Sequence, residues 1–288
     1  MRAIYKRELR SYAVSMTGAI AIAVALLIMG LMFRNYNLST YHLLTFSYTL
    51  NNSSLVFYIV VPILSMRVFA EERKLKTDQL LLTAPVSVGQ IVMGKYLALI
   101  TVFAIPCVIT GFYPLIMLRF GKETIKWDYS ALLAYFLMGC AYLAIGMFIS
   151  STTENVIIAA ILSILFVFVT QMISNTYTLM SASNFAALIF LVILAVLAGF
   201  LVYFMTKNYW AAMITISGLS AAWLITYAIK ASWFSGKTEA VMKVLDFATH
   251  FNDFANGSFT IPNLLYFISA GAIGIILTIQ SVLKRRWS

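Results

Sequence analysis

The sequence predicts an all-α polytopic membrane protein with about eight transmembrane helices and cytoplasmic N and C termini. Of its 288 residues, 62% are hydrophobic and only 10% are charged, whereas about a quarter of a soluble domain is charged. Mean hydropathy is +0.91, and the apolar residues fall into runs near the roughly 20 that a helix needs to cross a bilayer. Charge gathers in the seams between those runs, because hydrocarbon does not tolerate it at such density. The runs continue along the whole chain, so residues 1–288 read as one transmembrane unit.

Residues 1–15 carry Arg2, Lys6, Arg7 and Arg10, with Ile4, Tyr5, Leu9 and Tyr12 available for an opposite face. This suits an interfacial helix on the cytoplasmic surface. The basic start before an apolar run imitates a signal peptide. That run exceeds a typical h-region, however, and no Ala-x-Ala-like site follows, so a retained first span at 14–33 is expected. A polar outer loop covers 35–54. Span two occupies 55–70, with Pro62 as a kink and Arg67 reaching back to the headgroups. Span three, 91–118, has bends at Pro106 and Pro114. After a compact outer loop at 119–128, span four (129–149) brings Gly139 and Gly146, small residues that admit a neighbouring helix. Ser151 and Glu154 have capping-box spacing for span five, 156–173.

The nearly unbroken apolar stretch 185–229, about 45 residues, would cross the bilayer twice over as one helix. Lys207, Asn208 and Tyr209 divide it into a transmembrane hairpin, 185–230, with spans at 186–206 and 210–229. In 232–258, Val241, Val244, Leu245, Ala248, Phe251 and Phe254 recur at helical spacing while Lys243, Asp246, His250 and Asp253 face elsewhere. That predicts an extracytoplasmic amphipathic helix lying on the surface. A last span, 262–283, ends before Lys284, Arg285 and Arg286. This topology puts thirteen of the twenty basic residues inside, in keeping with the positive-inside rule.

A net charge of +10 on a soluble chain would suggest nucleic acid. Here the basic residues flank spans, and the lipid bilayer is the expected partner. Cys107 and Cys140 fall near mid-span, where they read as small buried thiols. No Asp, Glu, Lys, Arg or His occupies the centre of an expected span, which argues against a membrane-embedded protease, proton carrier or ion pump. His42 and His250 stand apart, so no zinc cluster is visible. Gly89 to Lys95 has the G-x-x-x-x-G-K spacing of a phosphate loop, but Tyr96 follows in place of Ser or Thr and no strand precedes it. No nucleotide-hydrolysing motif is therefore read in the chain.

One charged segment stands out in the first half of the chain: RVFAEERKLKTDQLLLTAPVSVGQIVMGK, residues 67–95. Its first part continues a helix that has left the bilayer. A second short helix is expected to start at Thr77 as N-cap, with Asp78 and Gln79 in its first turn and Pro85 stopping it within about two turns. Ser87 and Gln90 have capping-box spacing, and Val86 and Ile91 staple spacing, for the helix after that. A short rod thus lies between two spans.

This wording resembles the segment after the second span in permeases of the type 2 ABC exporter family, nearest the gliding-motility-associated branch. Arg67, Phe69 to Arg73, Thr77, Leu80 to Thr83, Pro85 to Ser87, Ile91, Val92, Gly94 and Lys95 stand at matching places. AIGMFISSTTEN at 144–155 and the ending SVLKRRWS are similar too. Lys76 stands where the family usually has Gly, and Gln79 where it often has Glu. Shorter members have six spans, so the hairpin 185–230 is a departure.

The resemblance implies a type 2 ABC exporter permease bundle, a six-span core plus the inserted hairpin, in the plasma (cytoplasmic) membrane of a bacterium. It implies that 71–90 is a cytoplasmic coupling segment held by separate ABC ATPase subunits, through Glu71, Glu72, Arg73, Thr77, Asp78, Leu80, Leu81, Pro85 and Lys95. Ser151, Glu154 and Asn155 form a second cytoplasmic turn. Thr170, Gln171 and Asn175 offer polar contacts to a substrate path, or equally to neighbouring helices. A second copy or a related permease, and an extracytoplasmic or membrane auxiliary subunit, are further expected partners. ATP and magnesium belong to the ATPase, and this chain is not itself an enzyme. Its expected function is export or membrane extraction of an unidentified substrate. The alternative is a non-transporting mechanical subunit that relays ATPase motion to an extracytoplasmic partner.

Overall fold

The fold is built of helices: in the computed structural model, every regular element among the described residues is helical. The structure describes residues 1–38, 45–77, 86–119, 125–180, 208–229 and 246–287, with residues 188, 191, 192, 195, 196, 199, 202 and 203. His42, the segment 78–85, most of the expected span at 186–206, and 232–245 lie outside them. The helices are α1 (Arg2–Val14), α2 (Met16–Phe33), α3 (Phe46–Asn52), α4 (Leu55–Ser65), α5 (Ala70–Lys74), α6 (Val88–Thr110), α7 (Tyr113–Leu118), α8 (Ile125–Thr152), α9 (Val156–Met180), α10 (Tyr209–Ile229), α11 (Phe247–Ala255) and α12 (Ile261–Trp287). Among the described residues, six helices are long and apolar enough to cross a membrane. Phe46–Asn52 with Leu55–Lys74, bent by 59°, makes a seventh if the pair is one broken span.

The chain divides into two units, Met1–Phe168 with His250–Ser288, and Val169–Thr249. In the first, α8 is the central helix: 72% of its most apolar window is buried, against 28–39% for α2, α6 and α12. The others therefore cover α8 with one face and turn the other outward, where a bilayer would meet it. Small residues set the spacing. A Cβ on Gly139 would fall 2.2 Å from the Phe103 ring, one on Gly146 2.5 Å from Ser65 Oγ, and one on Gly274 2.9 Å from the Ala144 carbonyl carbon. These close approaches let α6, α4 and α12 pack on α8. Phe57 fills the seam between α4 and α8, its ring 4.5 Å from Tyr135 and 5.4 Å from Tyr142.

Three expectations about the membrane edge change. The stretch expected as a polar outer loop at 35–54 is partly helical: a π turn, Arg34–Leu38, prolongs α2, and α3 follows. Phe46 and Leu50, one helical turn apart, are buried beneath α3, and its polar groups find partners inside. The Ser47 amide donates to Asp128 Oδ1 at 3.1 Å, and Thr49 donates to Asn37. Pro114 opens α7 rather than bending span three, because the missing amide costs nothing in a first turn. The described part of the expected amphipathic helix, α11, turns its apolar face into the protein. Phe251 and Phe254 are buried, Phe251 meets the Tyr135 ring edge-on at 6.1 Å, and Asn51 donates to Asn252 at 2.7 Å. Its apolar face is a docking face because large rings gain more from a close-packed protein groove than from an interface.

In the second unit, Leu188 and Leu191 are buried against Trp223 and Tyr227, while Gly199 lies under Ile216. Partner numbers fall as residue numbers rise, the pairing of antiparallel segments. Only 6% of the most apolar window of α10 is buried.

Candidate functional site

The helix that leaves the bilayer is broken where its composition changes. α4 ends at Ser65, residues 66–69 form a turn, and α5 resumes at Ala70. Val68 and Phe69 are buried, so the turn swings two apolar side chains into the bundle between Arg67 and the charged run that starts at Glu71. A break of this kind frees backbone groups that must be satisfied. Three other helices supply the partners. Tyr12 of α1 donates its hydroxyl to the Leu64 carbonyl at 2.8 Å. Burial pushes that phenol's ionisation well above the ordinary range, so it remains a donor. Lys95 of α6 donates to the Val68 carbonyl at 2.9 Å. Ser150 of α8 accepts from the Phe69 and Ala70 amides at 3.2 and 3.1 Å and donates to the Met66 carbonyl at 3.0 Å.

Charge reinforces the same joint. Lys95 is 1% exposed, with Nζ 2.8 Å from Glu72 Oε1 and 3.4 Å from Glu8 Oε1, and it lies 5.0 Å from the Phe69 ring centroid. Arg7 Nη2 reaches Glu8 at 2.7 Å and Glu72 at 3.1 Å. Two cations and two carboxylates thus join α1, α5 and α6. A buried ammonium without such partners would cost several kcal/mol, about 3–5 by analogy with broken buried pairs. Beside them, Arg67 grips Glu71 with a fork of 2.5 and 2.6 Å and touches Thr17 of α2 at 3.4 Å. Hydrogen bonding from the Arg67 guanidinium holds the Glu71 carboxyl below its usual range.

The joint makes several expected site residues specific. Glu71, Glu72 and Arg73 lie on α5. Lys95 faces inward, where it meets Glu72, the Val68 carbonyl and the Phe69 ring as well as Glu8 of α1, and the phosphate-loop spacing that ends on it lies inside α6. Lys76 has φ 57, in the left-handed region. Its amide donates to the Arg73 carbonyl at 3.1 Å and that of Thr77 to the Glu72 carbonyl at 2.9 Å, a Schellman closure of α5. The Thr77 hydroxyl also donates back to the Glu72 carbonyl at 3.3 Å, so Thr77 helps to close α5; the short helix expected to start from it lies outside the described residues. Asp78, Leu80, Leu81 and Pro85 lie outside the described residues. Ser87 caps α6 by accepting from the Gln90 amide at 3.4 Å.

At the second turn the expected capping box does not form. Ser151 is still inside α8, where its hydroxyl donates to Phe148 at 2.7 Å, and its carbonyl accepts from Ser281 of α12 at 3.2 Å. Asn155 caps α9 instead, its Oδ1 accepting from the Ile157 and Ile158 amides at 2.9 and 3.4 Å. α8 runs through Thr152, which leaves no room for Ser151 to be an N-cap. Glu154 forms an exposed ion pair with Arg285 at 3.6 Å, worth little in water. Thr170 and Gln171 lie on α9, the first buried and the second half-buried, with Asn175 further along the same helix. Sequence reasoning missed Glu8, Tyr12 and Ser150. Glu8 was the detectable one, as the lone acid among four basic residues in α1.

A profile of the ABC-2 family transporter proteins matches residues 8–170, more than half of the chain. The chain belongs to the ABC-2 transporter family. It is accordingly a multi-pass membrane subunit of an ABC transporter, of a family whose permeases associate with ABC ATPase subunits and with a second permease. A search of curated proteins finds no match. The matched stretch of this ABC-2 protein begins at Glu8 and takes in Tyr12, Glu72, Lys95 and Ser150, the residues that hold the joint. α10, α11 and α12 fall beyond it.

Proposed function

We propose that this chain is the permease subunit of a type 2 ABC exporter, nearest the gliding-motility-associated branch, in the plasma membrane of a bacterium. It is a single permease domain of about eight spans with both termini in the cytosol. It pairs with a second copy or a related permease. Two ATPase subunits, which hold the ATP and magnesium, grip the rod at 77–83 through Leu80 and Leu81, flanked by Glu71, Arg73, Asp78 and Pro85. Closure of the ATPases moves the rod, and the permease exports its substrate or extracts it from the membrane.

The observation that carries this reading is the joint at 66–69. The helix that leads to the rod is fastened to α1, α6 and α8 by Tyr12, Lys95 and Ser150, so a push on it displaces packed helices together. In a solvated loop the same push would dissipate. Lys95 and Glu72 act here as positioning residues. The test is co-expression with the candidate ATPase. Leu80→Asp with Leu81→Asp removes an apolar grip, and ATPase recovery should fall to background while the permease stays in the membrane. Unchanged recovery would sink the proposal.

The second reading keeps the ATPase but moves no substrate. It is favoured by α11, which is fixed by its aromatic face and leaves Asp253 and Asn256 exposed, a rigid mount for an extracytoplasmic partner. Reconstituted vesicles separate the two readings: ATP-dependent movement of a lipid or solute across the bilayer decides for transport.

A further inference from the structure

A cleft of about 310 Å³ opens beside the joint, walled by α1, the first turn of α2, the 66–69 turn and α5. This is the lower end of the size range of small-ligand pockets. Its charged lining is balanced, with Arg7, Arg67 and Lys95 against Glu8, Glu71 and Glu72, and since these six already pair with one another, a ligand meets the donors and acceptors that the pairs leave over. An anion alone would meet three carboxylates there, and a cation alone three basic groups. A neutral molecule carrying both signs meets a complement for each. Ser11, Ser15 and Thr17 add hydroxyls along the wall formed by α1 and α2.

The edge of the cleft tells which compartment it faces. Val14 and Met16 flank Ser15 and are 80% and 78% exposed. Two large apolar side chains at the foot of a membrane span belong in the acyl region, with the polar wall at headgroup height. Arg67 and Glu71, each 35% exposed at the side chain, stand where a headgroup would pass. Both ion pairs of Arg7 run through Nη2, so its other nitrogens are not the ones that hold Glu8 and Glu72.

We propose that this cleft binds the headgroup of a zwitterionic phospholipid with a primary ammonium, the phosphoethanolamine class, from the leaflet in which α1 lies. The phosphate oxygens take Arg7 and the hydroxyls of Ser11 and Thr17, and the ammonium takes the lone pairs that Glu71 and Glu72 keep beside their bonds to Arg67, Arg7 and Lys95. A primary ammonium is specified because carboxylates accept its N–H groups. A trimethylammonium group has none to give and prefers an aromatic cage. Such a lipid would brace α1 against α5 from outside the protein, and this holds whether or not an ATPase grips the rod.

The experiment is native mass spectrometry of the full chain, delipidated and offered equal amounts of phosphatidylethanolamine, phosphatidylcholine and phosphatidylglycerol with the same acyl chains. Phosphatidylethanolamine should be retained about tenfold over the other two, the worth of one charge-assisted hydrogen bond. Glu71→Gln should erase the preference over phosphatidylcholine. Ser11→Trp, at an exposed position, should erase it by filling the cleft while the melting temperature stays unchanged. Preference for phosphatidylglycerol, equal retention of all three, or a preference that survives Ser11→Trp would overturn the proposal. Displacement of the lipid by equimolar soluble glycerophosphoethanolamine would also overturn it, by assigning the site to a soluble zwitterion.

Discussion

Lys76 is the residue where physical chemistry and family resemblance meet. The resemblance expects Gly there, and the structure supplies the reason: φ is 57 at the C′ position of a Schellman closure. A side chain in the left-handed region crowds its own carbonyl, and Gly relieves that at the expense of a more flexible unfolded chain. Lys76→Gly should therefore stabilise the protein by about 0.5–1 kcal/mol, seen as a rise of a few degrees in melting temperature in detergent. Lys76→Val should lower it, because a β-branched residue fits that region worst. A drop with Gly would show that the lysine side chain matters more than its backbone.

Among the elements, the break between α4 and α5 closes its backbone accounting through side chains of other helices. Ser150 satisfies two amides and one carbonyl from α8. Removing its hydroxyl strands buried groups, at about 1–3 kcal/mol. Ser150→Ala should lower the melting temperature clearly, whereas Ser151→Ala, which removes only a bond within its own helix, should be close to neutral. Equal effects of the two would show that the joint is held by packing alone. The element-scale error at Ser151 and Glu154 has the same origin: a spacing can fit a capping box, but only the path of α8 decides whether the first residue has left the previous helix.

For the whole molecule, polar layers at two heights set the frame. Trp127 and Ser150 of α8 are about 34 Å apart at 1.5 Å per residue, close to the roughly 30 Å of bilayer hydrocarbon. One layer holds Asn37, Ser47 and Asp128, the other Glu8, Glu72 and Lys95. On the proposed orientation, a cysteine at Lys74 is labelled by an impermeant maleimide only after the membrane is opened, and a cysteine at Asn256 is labelled in intact cells. The native thiols Cys107 and Cys140 are buried and should give little background. The reverse pattern would invert the topology and with it the coupling proposal.

The membrane class and most of the spans were legible in the chain alone, because composition and 20-residue periodicity are local and the bilayer enforces them on every span. Gly139 and Gly146 were readable as contact points for the same reason, since a missing side chain near mid-span has few other uses. Glu8 with Lys95, Tyr12 with Leu64, and Ser150 with the 66–69 turn were not readable. Each joins residues far apart in sequence, and no periodicity encodes which distant donor reaches a carbonyl that a helix break has freed. The seating of α11 was decided in the same way. Its apolar face was written in the sequence, but a face of that kind suits lipid and protein alike, and only the groove beside Tyr135 chose between them.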